Sequence, residues 1–123
     1  MADSIYIVDD DDAVRESLRA LMEAHGFTVH DFTSGTAFLD CHEHTMRGCL
    51  LLDVNLPGTD GFAVLQLLVA AGSSLSVIMM SARTDGATDA VAAGAFGFVQ
   101  KPFKAGELIA MVALALTDGR REA

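Results

Sequence analysis

The sequence predicts an α/β fold, a doubly wound parallel sheet of five strands with five helices. Three observations carry this expectation. Short apolar runs alternate along the chain with stretches whose apolar residues recur at helical spacing. Most of the runs are continuously apolar, the pattern of strands buried on both faces, and parallel strands of that kind need helical crossovers. The 123 residues, 51% apolar and 20% charged, suffice for one domain with a real core, so residues 1–123 are expected to form a single domain.

Each element has its own signal. Ile5-Tyr6-Ile7-Val8 is a first strand, cut off abruptly by Asp9-Asp10-Asp11-Asp12. Val14, Leu18, Leu21, Met22 and His25 then follow at helical spacing, with Gly26 as a stop and an aspartate available as the cap. Phe27 to Phe32 alternates weakly and reads as a second strand, and Ser34 starts a short helix carrying Phe38 and Leu39. Cys49-Leu50-Leu51-Leu52 is a buried strand ending at Asp53, followed by turn chemistry from Asn55 to Gly61. Phe62, Leu65, Leu68 and Val69 mark a third helix that stops near Gly72. Leu75 to Met80 is a fourth strand ending at Ser81-Ala82, and a small-residue helix from Ala87 to Ala93 stops at Gly94. Phe96 to Val99 is the fifth strand, ending at Lys101-Pro102, and Leu108 to Leu116 forms the last helix. Right-handed crossovers then give a doubly wound layout. The strand order 2-1-3-4-5 is borrowed from flavodoxin-like folds; the Rossmann order is disfavoured because no G-x-G-x-x-G follows the first strand.

Composition excludes several classes of function. Seventeen acidic against eight basic residues give a net charge of -9, which argues against direct nucleic-acid binding or attachment to an anionic membrane. The longest apolar run, Leu108 to Leu116, is far short of the ~20 residues that span a bilayer. The acidic start Met1-Ala2-Asp3-Ser4 is unlike a signal peptide, and Cys41 and Cys49 make no metal-ligand spacing. A cytoplasmic protein with reduced thiols is expected. No P-loop is present, and the aspartate run lacks the spacing of a calcium-binding EF-hand loop. The four histidines, His25, His30, His42 and His44, are not expected to converge.

In an open α/β sheet the site lies outside the carboxyl ends of the strands, near the switch in strand order. The first strand delivers Asp9 and Asp10 there, the third Asp53, the fourth Ser81 and the fifth Lys101. Taken singly, each has a bland alternative: a helix cap, a loop serine, a surface lysine. Asp11 and Asp12 are expected to be no more than a solvated loop or a helix cap, whereas Asp9 and Asp10 directly end an apolar strand. Three carboxylates at close range repel one another, and a hard divalent cation such as Mg2+ relieves this. A carboxylate nucleophile, a metal and a lysine together describe phosphoryl transfer onto Asp53.

The chain resembles a response-regulator receiver domain of two-component signalling over nearly its whole length. The matching elements are Ile7-Val8-Asp9-Asp10-Asp11, Leu52 to Gly61, Met80-Ser81-Ala82, and Phe98-Val99-Gln100-Lys101-Pro102-Phe103. Among receivers it is most similar to the FixJ-like branch. The resemblance implies that Asp53 is the phosphoacceptor, supplied by a sensor histidine kinase or a small phosphodonor. It implies Mg2+ held by Asp10 and Asp53 directly, by Asp9 through water, and by the backbone carbonyl of Asn55. Lys101 would pair with the acceptor and then the phosphoryl group, Ser81 would donate its hydroxyl to it, and Phe98 would move when Ser81 does. A cis Lys101-Pro102 bond is implied as well.

The implied activity is a phosphorylation-dependent switch, not a turnover enzyme. The alternative from another class is a haloacid-dehalogenase-like aspartyl phosphatase. That family needs a general acid two residues after its nucleophile, where this chain has Asn55, and usually a substrate cap. The last helix, with nine apolar residues in succession, should leave apolar surface outside. The resemblance makes the fourth helix, fifth strand and fifth helix the output face, with self-association on phosphorylation as one expected consequence. FixJ-like relatives usually carry a DNA-binding, transcription-regulating domain after the receiver. The chain is expected to be either a free-standing receiver or the receiver of a longer regulator.

Overall fold

Most strands form on short continuous apolar runs, whereas the longer apolar run from Leu108 to Leu116 is helical. The computed structural model describes residues 3–43, 45–56, 58, 60–82 and 87–122. The elements run β1 (Ser4–Val8), α1 (Asp12–Ala24), β2 (Thr28–Phe32), α2 (Gly35–Cys41), β3 (Arg47–Asp53), α3 (Gly61–Ala70), β4 (Ser74–Ser81), α4 (Ala87–Ala92), β5 (Gly97–Gln100) and α5 (Ala105–Glu122). All strand pairs are parallel, in the expected order β2-β1-β3-β4-β5. The order switches at β1, which has β2 on one side and β3 on the other, the place beyond the ends of β1 and β3 where sheets of this kind carry their site.

Register sets the heights at which side chains leave the sheet. Val8 pairs with Leu52, so Asp9 and Asp53 each follow at the same level on neighbouring strands. Asp53 pairs with Met80, and Ser81, one residue higher, pairs with Gln100 immediately before Lys101. The functional side chains thus leave four adjacent strands on a short staircase.

The core has two halves because alternate strand residues point to opposite faces. Ile5, Ile7, Cys49, Leu51, Ile78 and Met80 pack with Leu18 and Met22 of α1 and Leu108, Val112 and Ala115 of α5. Val8, Leu50, Leu52, Val77 and Met79 pack with Phe38 of α2, Val64, Leu65 and Leu68 of α3, and Ala90 of α4. Burial on both faces explains the continuous apolar stretches of the central strands, Cys49 to Leu52 of β3 and Val77 to Met80 of β4.

Some boundaries differ from expectation. The fifth strand starts at Gly97 rather than Phe96, whose N–H instead bonds the Val77 carbonyl at 2.7 Å. α5 extends well beyond the apolar run on both sides, since polar residues continue a helix once its inner face is packed. Val69 does not join the core. It is 55% exposed, as is Leu67 at 54%, and Val64 takes the inner position with Leu65 and Leu68. α3 reads GFAVLQLLVA, with one polar side chain in ten residues, so its hydropathy marks no face. The expected apolar surface of α5 is present: Leu114 is 64% exposed, and Val91 on α4 is exposed too. Among the described residues, no helix is long and apolar enough to cross a membrane.

Candidate functional site

The site grows from the end of β1. Asp9 is fully buried and its N–H still bonds the Phe32 carbonyl, so it is held as though it were one more strand residue. Its Oδ1 accepts the Asp11 N–H at 2.9 Å and its Oδ2 accepts Lys101 Nζ at 2.7 Å. Asp10, one residue on, is exposed. Asp11 turns the chain into α1: its Oδ1 accepts the N–H groups of Ala13 and Val14, an N-cap.

β3 contributes Asp53, also buried. Its Oδ1 accepts the Asn55 N–H at 3.3 Å and lies 3.5 Å from Lys101 Nζ. Asn55 is exposed in the following turn. That turn is closed by the Gly61 N–H bonding the Val54 carbonyl at 2.9 Å. Residue 61 must be glycine, because a Cβ there would run into the Asp53 carbonyl. β4 ends in buried Ser81, whose carbonyl accepts the Lys101 N–H at 2.7 Å. The next bond, Lys101-Pro102, is cis, as expected.

The result is one ammonium set between two buried carboxylates, with a third at the rim. Carboxylate oxygens of Asp9, Asp10 and Asp53 lie within 4.8 Å of one another. Burial raises the pKa of Asp53 above the ordinary carboxylate range, and the neighbouring Asp9 pushes the same way; Lys101 and the Asn55 N–H oppose them without cancelling the rise. Three carboxylates against one lysine leave two negative charges when all are ionised. An all-oxygen donor set with one exposed member suits a hard divalent cation that keeps water ligands.

Of the residues singled out in the sequence, Asp9, Asp10, Asp53 and Lys101 come together in one cluster, and Ser81 ends the adjoining strand. Phe98 lies on β5, half-buried against the core half formed with α2, α3 and α4. The histidines do not converge among the described residues. His25 is at the α1 C-terminus, with Nδ1 3.0 Å from the Leu21 carbonyl. His30 stacks on Tyr6, and His42 Nε2 meets Ser73 Oγ. His44 lies outside the described residues. Cys49 is buried, and burial pushes its thiol pKa up, leaving an inert apolar side chain.

One residue at this site escaped sequence reasoning. Arg15 of α1 donates from Nη1 to the Asp9 carbonyl at 3.0 Å and pairs through Nη2 with Asp12. Its signal was its place one helical turn after Asp12, from which a long side chain folds back over the preceding loop.

The family model described as the response regulator receiver domain matches residues 5–113. The chain belongs to the response-regulator receiver family. Such receivers are the phosphoacceptor signalling domains of two-component systems, and this one is FixJ-like. It is 41% identical to the transcriptional regulatory protein FixJ of Azorhizobium caulinodans, over 96% of this chain and 59% of that protein. It is 40% identical to the response regulator TmoT of Ectopseudomonas mendocina, over 91% of this chain and 52% of that protein. The receiver thus spans only a little over half the length of these curated relatives. Full-length FixJ from B. japonicum superposes with a TM-score of 0.87 at 35% identity, covering 95% of this chain and 59% of that one. A CheY-like receiver from Methanospirillum hungatei matches over the whole of both chains, with a TM-score of 0.91 at 23% identity, a likeness of fold. None of this supports the phosphatase alternative.

Proposed function

We propose that Asp53 is the phosphoacceptor and that the surrounding residues assist its own phosphorylation and dephosphorylation without acting on other substrates. The observation that carries this reading is Lys101 Nζ, 2.7 Å from Asp9 and 3.5 Å from Asp53. A carboxylate oxygen of Asp53 attacks the phosphorus of a phosphohistidine on a sensor kinase, or of a small acyl phosphate. The new O–P bond forms as the N–P or O–P bond to the donor breaks, and the electron pair leaves with the donor. Lys101 holds the ionised acceptor and then an oxygen of the phosphoryl group, while the Ser81 hydroxyl donates to another. Asp10, Asp53 and the Asn55 carbonyl would hold Mg2+, with Asp9 acting through water. Bound there, the cation offsets repulsion among the carboxylates and stabilises charge on the transferring group.

The relatives named as transcriptional regulators suggest the wider setting. In this reading residues 1–123 are one receiver domain that works in the cytoplasm with a histidine kinase and governs a DNA-binding output domain. It does not itself touch DNA or membrane. Ser81, drawn to the phosphoryl group, lets Phe98 move and alters the face of α4, β5 and α5, favouring self-association there. A solution mass that stays monomeric on adding a beryllofluoride mimic, in wild type and Leu114→Glu alike, would remove the self-association step.

The acceptor assignment is tested by incubating the protein with acetyl phosphate and Mg2+. One acid-stable, base-labile phosphoryl group should appear and be absent in Asp53→Asn. Undiminished labelling of Asp53→Asn would sink it.

A further inference from the structure

Arg15 has no part in the chemistry proposed above, yet its side chain is tied to the acid cluster. Only 14% of that side chain is exposed, and its two terminal nitrogens serve two different acceptors, the Asp9 carbonyl and the Asp12 carboxylate. The carbonyl belongs to the peptide that joins Asp9 to Asp10. Asp9 has its carboxylate fixed independently, by Lys101 and by the Asp11 N–H. Asp10 is exposed, so core packing does not hold its side chain, and the direction in which it leaves the backbone follows from that one peptide. The same guanidinium ties Asp12 down at the start of α1, so a fourth carboxylate is paired instead of adding its charge to the other three.

We propose that Arg15 is a positioning residue that sets the divalent-cation affinity of the cluster by fixing the Asp9–Asp10 peptide. The inference rests on the reading of the cluster as a Mg2+ site. It requires arginine: a planar fork offers separate nitrogens to a carbonyl and a carboxylate, whereas a lysine offers one nitrogen on a differently shaped stem. Groups that orient metal ligands from behind are typically worth ~10-fold or more in metal affinity.

The test is calorimetric titration of Mg2+ into the wild-type chain, Arg15→Ala, Arg15→Lys and Asp12→Asn, paired with acetyl phosphate labelling rates across Mg2+ concentrations. In both Arg15 variants the Mg2+ Kd and the half-saturating Mg2+ should rise about tenfold, with the rate at saturating Mg2+ little changed. Asp12→Asn should shift Kd by no more than about twofold, because the bond to the Asp9 carbonyl survives and an exposed ion pair is weak. Wild-type Kd in Arg15→Ala would overturn the inference. So would full recovery in Arg15→Lys, which would show that charge alone suffices, or a lowered saturating rate at unchanged Kd. Should Arg15→Ala not fold, Arg15→Lys decides by the same criteria. A wild-type chain that binds no Mg2+ would instead overturn the reading of the site itself.

Discussion

Four consecutive aspartates, Asp9 to Asp12, divide between two regions of different physics. The first pair ends a buried strand and the second begins an exposed helix. Asp9 is enclosed by β2, β3 and the Lys101 ammonium, and Asp10 stands at the rim with its carboxylate toward the same cluster. Asp11 spends its oxygen on two helix N–H groups, and the exposed Asp12 pairs with the largely covered Arg15. The chemistry of the side chain is identical in all four. What differs is the strand register, which stops the sheet at Val8 and fixes which carboxylates can meet Asp53. An acidic run is therefore not a site; the end of a strand inside it is.

The largest expected effect separates the two pairs directly. Saturating Mg2+, at a hundred times its Kd, should raise wild-type stability by about 2.7 kcal/mol. Asp10→Ala should abolish that gain, and Asp12→Ala should leave it in place. Equal responses of the two variants in thermal or urea unfolding would show that the wrong acids have been placed at the site.

The next effect comes from the carboxylate that the first pair faces. Asp53 has its pKa raised, chiefly by burial, so the folded protein binds that proton more tightly than the unfolded chain does. Ionised Asp53 consequently detracts from stability at neutral pH, and the loss is recovered as pH falls through its folded pKa toward the ordinary carboxylate range. In metal-free buffer Asp53→Asn should be more stable than wild type at pH 7, and the two should converge as the buffer is made acidic through that window. A destabilised Asp53→Asn at pH 7 would mean that pairing with Lys101 outweighs burial.

Smaller still is the effect of the cap. Asp11→Ala removes an N-cap and should cost about 1 kcal/mol, with the response to Mg2+ intact. A lost Mg2+ response in that variant would blur the boundary between the two regions, because it would mean that the start of α1 also sets the geometry of the cluster.

Much of this was legible in the sequence because the chain announces it locally. Asp9, Asp53, Ser81 and Lys101 each follow directly on a run of strand residues, so knowing where a strand ends is knowing where they point. Bringing them together needed the strand order, which no residue in the chain encodes by itself and which was borrowed from known folds. Two features lay beyond reading. The outer face of α3 could not be identified, because Leu67 and Val69 are as apolar as Leu65 and Leu68 and only the packed sheet distinguishes them. Arg15 was marked only by its spacing from Asp12, since its acceptor at Asp9 is a backbone carbonyl and carries no sequence signal.

The central claim is the proposal that Asp53, among the clustered carboxylates, is the one that accepts the phosphoryl group. The direct measurement is to phosphorylate the wild-type chain, trap the acyl phosphate by borohydride reduction to homoserine, and locate that residue by peptide mass mapping. Homoserine at position 53 alone is the predicted result. Homoserine at position 9 or 10, with position 53 unmodified, would contradict the account.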